Sequence, residues 1–121
     1  MKTLSIVAPS ASRIADGIKT IEVRSWLPNL DPNEDLLIVE NKKFLRLEGE
    51  TDDGMAVAIV KVDSVREYTE ADIPAACASS WAPGYYSWIL KDVRKLAKPF
   101  PITAARGIYD VELEPQDICN L

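Results

Sequence analysis

Histidine is missing altogether from the 121 residues. That excludes Ser–His and Cys–His nucleophilic pairs and removes the commonest zinc ligand. Any acid–base chemistry must then come from Lys, Glu, Asp, Tyr or Cys. Cysteine is scarce as well: Cys77 and Cys119 stand far apart without companion ligands. Neither a zinc cluster nor a disulfide framework is indicated, and buried or incidental free thiols are expected. No metal or cofactor site is expected. No run approaches the roughly 18 apolar residues of a membrane span. Met1–Val7 is too short for a signal peptide and reads as the first strand of a cytoplasmic protein with no membrane partner. Internal repeats and low-complexity linkers are absent too, which leaves a chain long enough for one domain, residues 1–121, and one core.

The net charge of −5 is unevenly spread. Residues 1–30 carry +2, residues 31–80 carry −7, and residues 81–121 balance at zero. Long nucleic acid gripped through its phosphates needs many cations, so a long DNA duplex is not an expected partner. A local basic cleft built from the two ends of the chain favours a small ligand, such as a nucleoside or a few nucleotides.

Alternation over Thr3–Val7 predicts a strand, and Pro9–Asp16 predicts a short helix with Pro9 in its first position and Gly17 just past its end. Pro28–Asn33 is rich in turn residues. Aliphatic density over Asp35–Glu40 predicts a buried strand, and Met55–Val62 predicts another, with Val57, Ile59 and Lys61 facing away from Ala58, Val60 and Val62. Glu48–Gly54 reads as an acidic turn. A short helix is expected near Pro74, and a half-buried strand over Gly107–Leu113. Tyr85–Leu96 is ambiguous: Ile89, Val93 and Leu96 keep helical spacing, whereas Tyr86, Trp88 and Leu90 keep strand spacing. Many short strands with little helix point to a small barrel or curled sheet.

Chemistry concentrates between Gly17 and Trp26. Thr20, Glu22 and Arg24 alternate with Ile21 and Val23, so on a pleated strand the polar and apolar sets point to opposite faces. Lys19 leads into the polar face and Ser25-Trp26 follows it. Such a mixture of cations, carboxylate and indole suits a polar cleft for a planar or anionic ligand. The plainer reading is a solvent-exposed Glu–Arg pair of little energetic worth. Trp26 and Trp88 are by default buried, with base stacking as the functional alternative. One of Tyr85 and Tyr86, after Pro83-Gly84, is expected to border the cleft. Lys91, Arg94, Lys95 and Lys98 read either as a solvated face or as a rim that meets phosphate.

The run Gly17-x-Lys19-x-x-Glu22-x-Arg24, with Ser25-Trp26 behind it, resembles the signature of ASCH (activating-signal-cointegrator homology) domains. The likeness continues through the polar-basic turn Glu40-Asn41-Lys42-Lys43 and the Gly54–Val65 strand. It extends to Tyr86-Ser87-Trp88-Ile89-Leu90 with Val93-Arg94, then Pro99-x-Pro101, and finally Arg106-Gly107-Ile108-Tyr109-Asp110-Val111. The resemblance implies an α+β, mainly β fold: a PUA-like small β-barrel with a short N-terminal helix and one or two further short helices. It also implies that Trp88 and Leu90 lie on a strand. Binding of RNA or a modified nucleoside follows as an expectation, with Lys19, Glu22, Arg24, Ser25, Trp26, Lys42, Tyr86 and Trp88 as ligand-binding residues. The alternative it raises is a ribonuclease, or a small amidohydrolase acting on an acylated pyrimidine nucleoside such as N(4)-acetylcytidine. There Lys19 and Glu22 would be catalytic, Lys19 matching the lysine of that branch. Glu22 stands where that branch has a threonine proposed as nucleophile, a departure that weakens the same mechanism here. Thr20, one residue off, is a poor substitute. Ala104-Ala105 replaces a glycine that relatives often carry before the last strand. The oligomeric state is open.

Overall fold

In the computed structural model, which describes residues 1–118, a strand and a helix open the chain. They are β1 (Lys2–Val7) and α1 (Ser10–Ala15). The strands β2 (Ile21–Arg24), β3 (Leu36–Asn41), β4 (Thr51–Asp52) and β5 (Gly54–Glu67) follow. A 3₁₀ turn (Glu70–Asp72) then runs into α2 (Ile73–Ala76). The remainder is β6 (Tyr86–Pro101), β7 (Ala104–Ala105), β8 (Ile108–Asp110) and α3 (Pro115–Ile118). Six strands form one sheet in the order β2-β6-β5-β3-β1-β8, and β4 pairs with β7 in a small second ladder. All pairings in the larger sheet are antiparallel except β1 with β3.

The parallel pair needs a crossover, and α1 is part of it. Its buried side chains Ala11, Ile14 and Ala15 pack with Leu4, Ile6, Leu36, Ile38, Ala58, Val60, Val62 and Trp88 to make the main core. Pro9 sits at the N-cap, one place earlier than its sequence position suggested. At the other end Gly17 adopts φ +76°; its N–H bonds Ile14 O and that of Ile18 bonds Arg13 O. This is the paired hydrogen-bond pattern that glycine permits after a helix. Lys19 N also donates to Arg13 O, so the helix end fixes the path of the chain into β2.

The segment with two competing periodicities is strand from Tyr86 onward. Residues 86–101 pair along nearly the whole of β5, and that ladder overrides the local helical spacing. Register shifts at Ala56/Ala58, Ile59/Lys61 and Val62/Ser64 interrupt it. Such bulges bend a strand and increase its twist. They also break the simple alternation expected for Met55–Val62. Ala56 and Ile59 join a second core with Leu37, Val39, Leu96 and Ala104, while Val57 packs beside Ala58 in the first.

A third apolar cluster, Ile21, Tyr68 and Ala76 with Val23 and Ile89, seats α2 against β2 and β6. Asp72 ties that corner together. It takes both Arg66 Nη1 and Nη2 at 2.7 Å, Ser87 Oγ at 2.9 Å and Thr69 N at 3.0 Å. The Arg66 guanidinium is the main cause holding its carboxyl well below the ordinary 3.8, against the opposing effect of burial.

The expected barrel is corrected in one respect: the sheet is not closed. β2 and β8 are its two edges, only four and three residues long, and no backbone ladder joins them. A side chain spans the opening instead, with Arg24 Nη2 donating to Ser5 O of β1 at 3.3 Å. Among the described residues no helix is long and apolar enough to cross a membrane.

Candidate functional site

The two faces of β2 divide as its alternation predicted. Ile21 and Val23 join the α2 cluster, whereas Glu22 and Arg24 lie opposite Trp88 and Tyr86 of β6. What alternation did not reveal is the depth of the polar set. Lys19 is only 6% exposed and Glu22 only 4%. Removing an ammonium and a carboxylate from water is tolerated only when both are paired and hydrogen-bonded. Both conditions are met. Lys19 Nζ donates to Ala76 O at the end of α2 at 2.6 Å and stands 3.3 Å from Glu22 Oε1. Glu22 Oε2 accepts from Arg24 Nε at 2.9 Å, with Arg24 Nη2 also at 2.9 Å. The Arg24 guanidinium lies 5.9 Å from the centre of the Trp26 ring, within cation–π range. Trp26 in turn meets Trp88 edge-on, with centroids 5.0 Å apart and planes at 84°.

This chain of contacts opens onto a cavity of about 400 Å³ at the unclosed seam, between β1, β2, the β3–β4 loop and the β7–β8 turn. Glu22, Arg24, Ser5, Asn41, Lys43 and Arg106 supply its polar wall, with Phe44 beside them. A larger adjoining cavity of about 800 Å³ shares Arg24 and Arg106 and adds Ser25, Trp26, Tyr85, Glu48 and Glu50.

The expected site residues therefore divide. Glu22, Arg24, Ser25 and Trp26 come together at the cavities. Lys19 stands beside Glu22 and lines neither cavity. Trp88 is fully buried in the main core and lines neither cavity, and its indole N–H has no acceptor among the described residues. Lys42 faces a separate hollow with Asp53 and Met55. Its neighbour Lys43 takes the cavity position because Asp52 Oδ2 accepts from the backbone N–H of both residues and turns the loop there. Those N–H groups hold the Asp52 carboxyl below its ordinary value. Of the two tyrosines, Tyr85 borders the larger cavity and Tyr86 borders neither. Thr20 is exposed and lines neither cavity.

Lys43, Phe44 and Arg106 are among the cavity residues that carried no role from the sequence. Phe44 is 69% exposed on the β3–β4 loop, where an aromatic is costly unless something covers it. Arg106 precedes Gly107, whose φ of +70° makes the turn into β8. The Arg-Gly pair was a legible signal, since a left-handed glycine turns the chain sharply and fixes where its neighbour lies.

The basic run on β6 belongs elsewhere. Lys91 pairs with Asp63 at 3.2 Å and Lys95 with Asp16 at 2.5 Å. Arg94 pairs with Asp35, which Lys61 also holds at 2.7 Å. The Arg94 hydrogen bond is the main cause lowering the Asp35 carboxyl, and Asp35 raises Lys61 in return. None of these cations lines either cavity. Cys77 is a free, half-buried thiol, and Cys119 lies outside the described residues. Among the described residues no three His, Cys, Asp or Glu side chains stand together to hold a metal ion.

A family model for the ASCH domain matches residues 4–100. The chain belongs to the ASCH family. A crystal structure of ASCH from Zymomonas mobilis superposes with a TM-score of 0.70, covering 98% of this chain and 91% of that one at 11% identity. A crystal structure of the S128A mutant of the Zymomonas mobilis protein gives 0.63 over 98% and 92% at 10% identity. At such identities the likeness establishes the ASCH fold, mainly β with a few short helices. No curated protein matches the chain. Membership of the family suggests RNA or nucleic-acid binding at a general level.

Proposed function

We propose that this ASCH domain binds a nucleobase, as a free nucleoside or at an unpaired position of a short single-stranded RNA, in the seam cavity beside Glu22 and Arg24. The observation that carries the reading is the fixed Glu22–Arg24 pair at the wall of a cavity of about 400 Å³. Glu22 Oε2 takes both Nε and Nη2 of Arg24, whereas Oε1 meets Lys19 alone and keeps a lone pair that can accept from an exocyclic amine. Arg24 supplies donors for a ring carbonyl. Trp26, Tyr85 and Phe44 offer flat apolar surface, the usual means of holding an unstacked base. The acidic chain and the small cavity fit a short ligand better than a duplex.

As the base of an amidohydrolase Lys19 gains no support from the geometry, although Glu22 lines the cavity. A general base must reach the proton it takes. The Lys19 ammonium is directed at Ala76 O and Glu22, and Lys19 lines neither cavity. The test is calorimetric titration with the four ribonucleosides and a short single-stranded RNA, beside incubation with N(4)-acetylcytidine. Binding that Arg24→Ala weakens about tenfold or more supports base recognition, since hydrogen bonds to a charged donor carry energies of that order. Release of cytidine that disappears in Lys19→Ala would overturn it in favour of the hydrolase.

A further inference from the structure

We infer that the site selects a phosphorylated ligand, a nucleotide whose phosphate lies between Arg24 and Arg106, over the neutral nucleoside. The inference rests on the base-binding reading above and specifies the ligand class. Arg24 and Arg106 are the two cations that line both cavities, so the wall shared by the two compartments is a guanidinium wall. Arg24 spends Nε and Nη2 on Glu22 and Ser5, while its Nη1 has no acceptor among the described residues. Arg106 is exposed and has neither an ion pair nor a hydrogen bond among the described residues. Two guanidiniums with unused N–H groups beside one hollow match the geometry of a phosphate, which arginine can bind through paired N–H donors.

The local charge agrees. In the wall of the smaller cavity Arg24, Lys43 and Arg106 stand against Glu22 alone. Three cations against one carboxylate leave an excess of two positive charges there, in a chain whose net charge is −5. A low-dielectric cleft concentrates such a field and attracts an anion to it. The basic run on β6, the obvious candidate for phosphate in the sequence, has its Lys91, Arg94 and Lys95 matched to carboxylates. Glu48 and Glu50 in the wall of the larger cavity oppose a long polyanion, so the preferred ligand bears one or two phosphates. A neutral acylated nucleoside would leave the Arg106 guanidinium unanswered.

The test is titration of the whole chain with adenosine, cytidine, guanosine and uridine, with each 5′-monophosphate, and with inorganic phosphate. Wild type and Arg106→Gln are compared, and unchanged thermal unfolding confirms that this exposed substitution leaves the fold intact. The monophosphate of whichever nucleoside binds is expected to bind at least about tenfold more tightly than that nucleoside. In Arg106→Gln the gap should close to about threefold or less, with affinity for the nucleoside unchanged. Equal affinity for nucleoside and monophosphate, or a gap that survives Arg106→Gln, overturns the inference and leaves base recognition standing. Phosphate binding that depends on Arg106, with no response to any base, removes the base reading and keeps the anion site. No binding of any probe refutes both.

Discussion

Glu22→Gln is the most demanding test of the buried charge relay. The substitution keeps the size of the side chain and removes its charge. Arg24 has a side chain 25% exposed and can turn toward water, so its loss is small. Lys19 cannot, because its ammonium is enclosed and keeps only neutral oxygens beside it, Ala76 O and the new amide. At 3.3 Å the Lys19–Glu22 attraction is about 5 kcal/mol gross at an effective dielectric constant of about 20. Removing one partner of such a pair leaves an uncompensated buried charge, and the net cost is about 3 kcal/mol. With an unfolding entropy of about 2.1 cal/mol/K per residue, that lowers the melting temperature of 121 residues by about 12 °C. Lys19→Met separates the causes, because in its background Glu22→Gln no longer strands an ammonium and should cost about 1 kcal/mol. The assay is urea unfolding followed by circular dichroism on the four members of the cycle, giving an expected coupling of about 2 kcal/mol. Additivity to within about 0.5 kcal/mol would refute the relay, since two independent sites behave that way.

Two further outcomes follow from other parts of the fold. Asp72 has its carboxyl held below 3.8 chiefly by Arg66, so the unfolded chain takes up its proton first as the solution is acidified. Its contribution is complete above about pH 4 and declines at lower pH. Asp72→Asn should cost about 2–3 kcal/mol at pH 7 and flatten the acid limb of a stability–pH curve measured by denaturant unfolding; an unchanged limb would contradict the assignment. Gly54 opens β5 opposite Asn41, and a Cβ there would lie 2.6 Å from both Ile102 O and Val39 Cγ1. Because one of those atoms is backbone, Gly54→Ala should destabilise by about 1–3 kcal/mol, and a melting temperature equal to wild type would show that the approach is not tight.

Much of the fold was legible because β1, β3 and β2 carry their patterns locally. Thr3–Val7 alternates, Leu36–Val39 is uniformly aliphatic, and Ile21 and Val23 face one apolar cluster. The β6 segment was not legible from pattern, since Ile89, Val93 and Leu96 satisfy a helix as well as a strand. What decides it is the ladder to β5, whose partners lie some tens of residues away. The same distance problem governs the charges. Lys91, Arg94 and Lys95 look like a basic rim until Asp63, Asp35 and Asp16 are folded onto them. Lys42 and Lys43 are equivalent in sequence, and only the two backbone hydrogen bonds to Asp52 select which one reaches the cavity.

The remaining question is why Lys19 and Glu22 are buried at all. Well-packed hydrophobic side chains of similar volume in place of a buried ion pair are often neutral or stabilising by about 1–4 kcal/mol. Stability alone therefore does not account for the arrangement. Orientation does. The Gly17 turn delivers Lys19 to the carbonyl of Ala76; Lys19 holds one oxygen of Glu22; the other oxygen holds Nε and Nη2 of Arg24. Nη1 is thereby left unspent at the cavity, where a freely rotating arginine would average over many directions. Arginine side chains carry about 2 kcal/mol of rotamer entropy, and a guanidinium already fixed loses less of it when a ligand arrives. On this argument Lys19 acts through Glu22 on the aim of Arg24. Lys19→Met should then weaken ligand binding without touching the ligand, whereas Arg106→Gln acts on the phosphate alone.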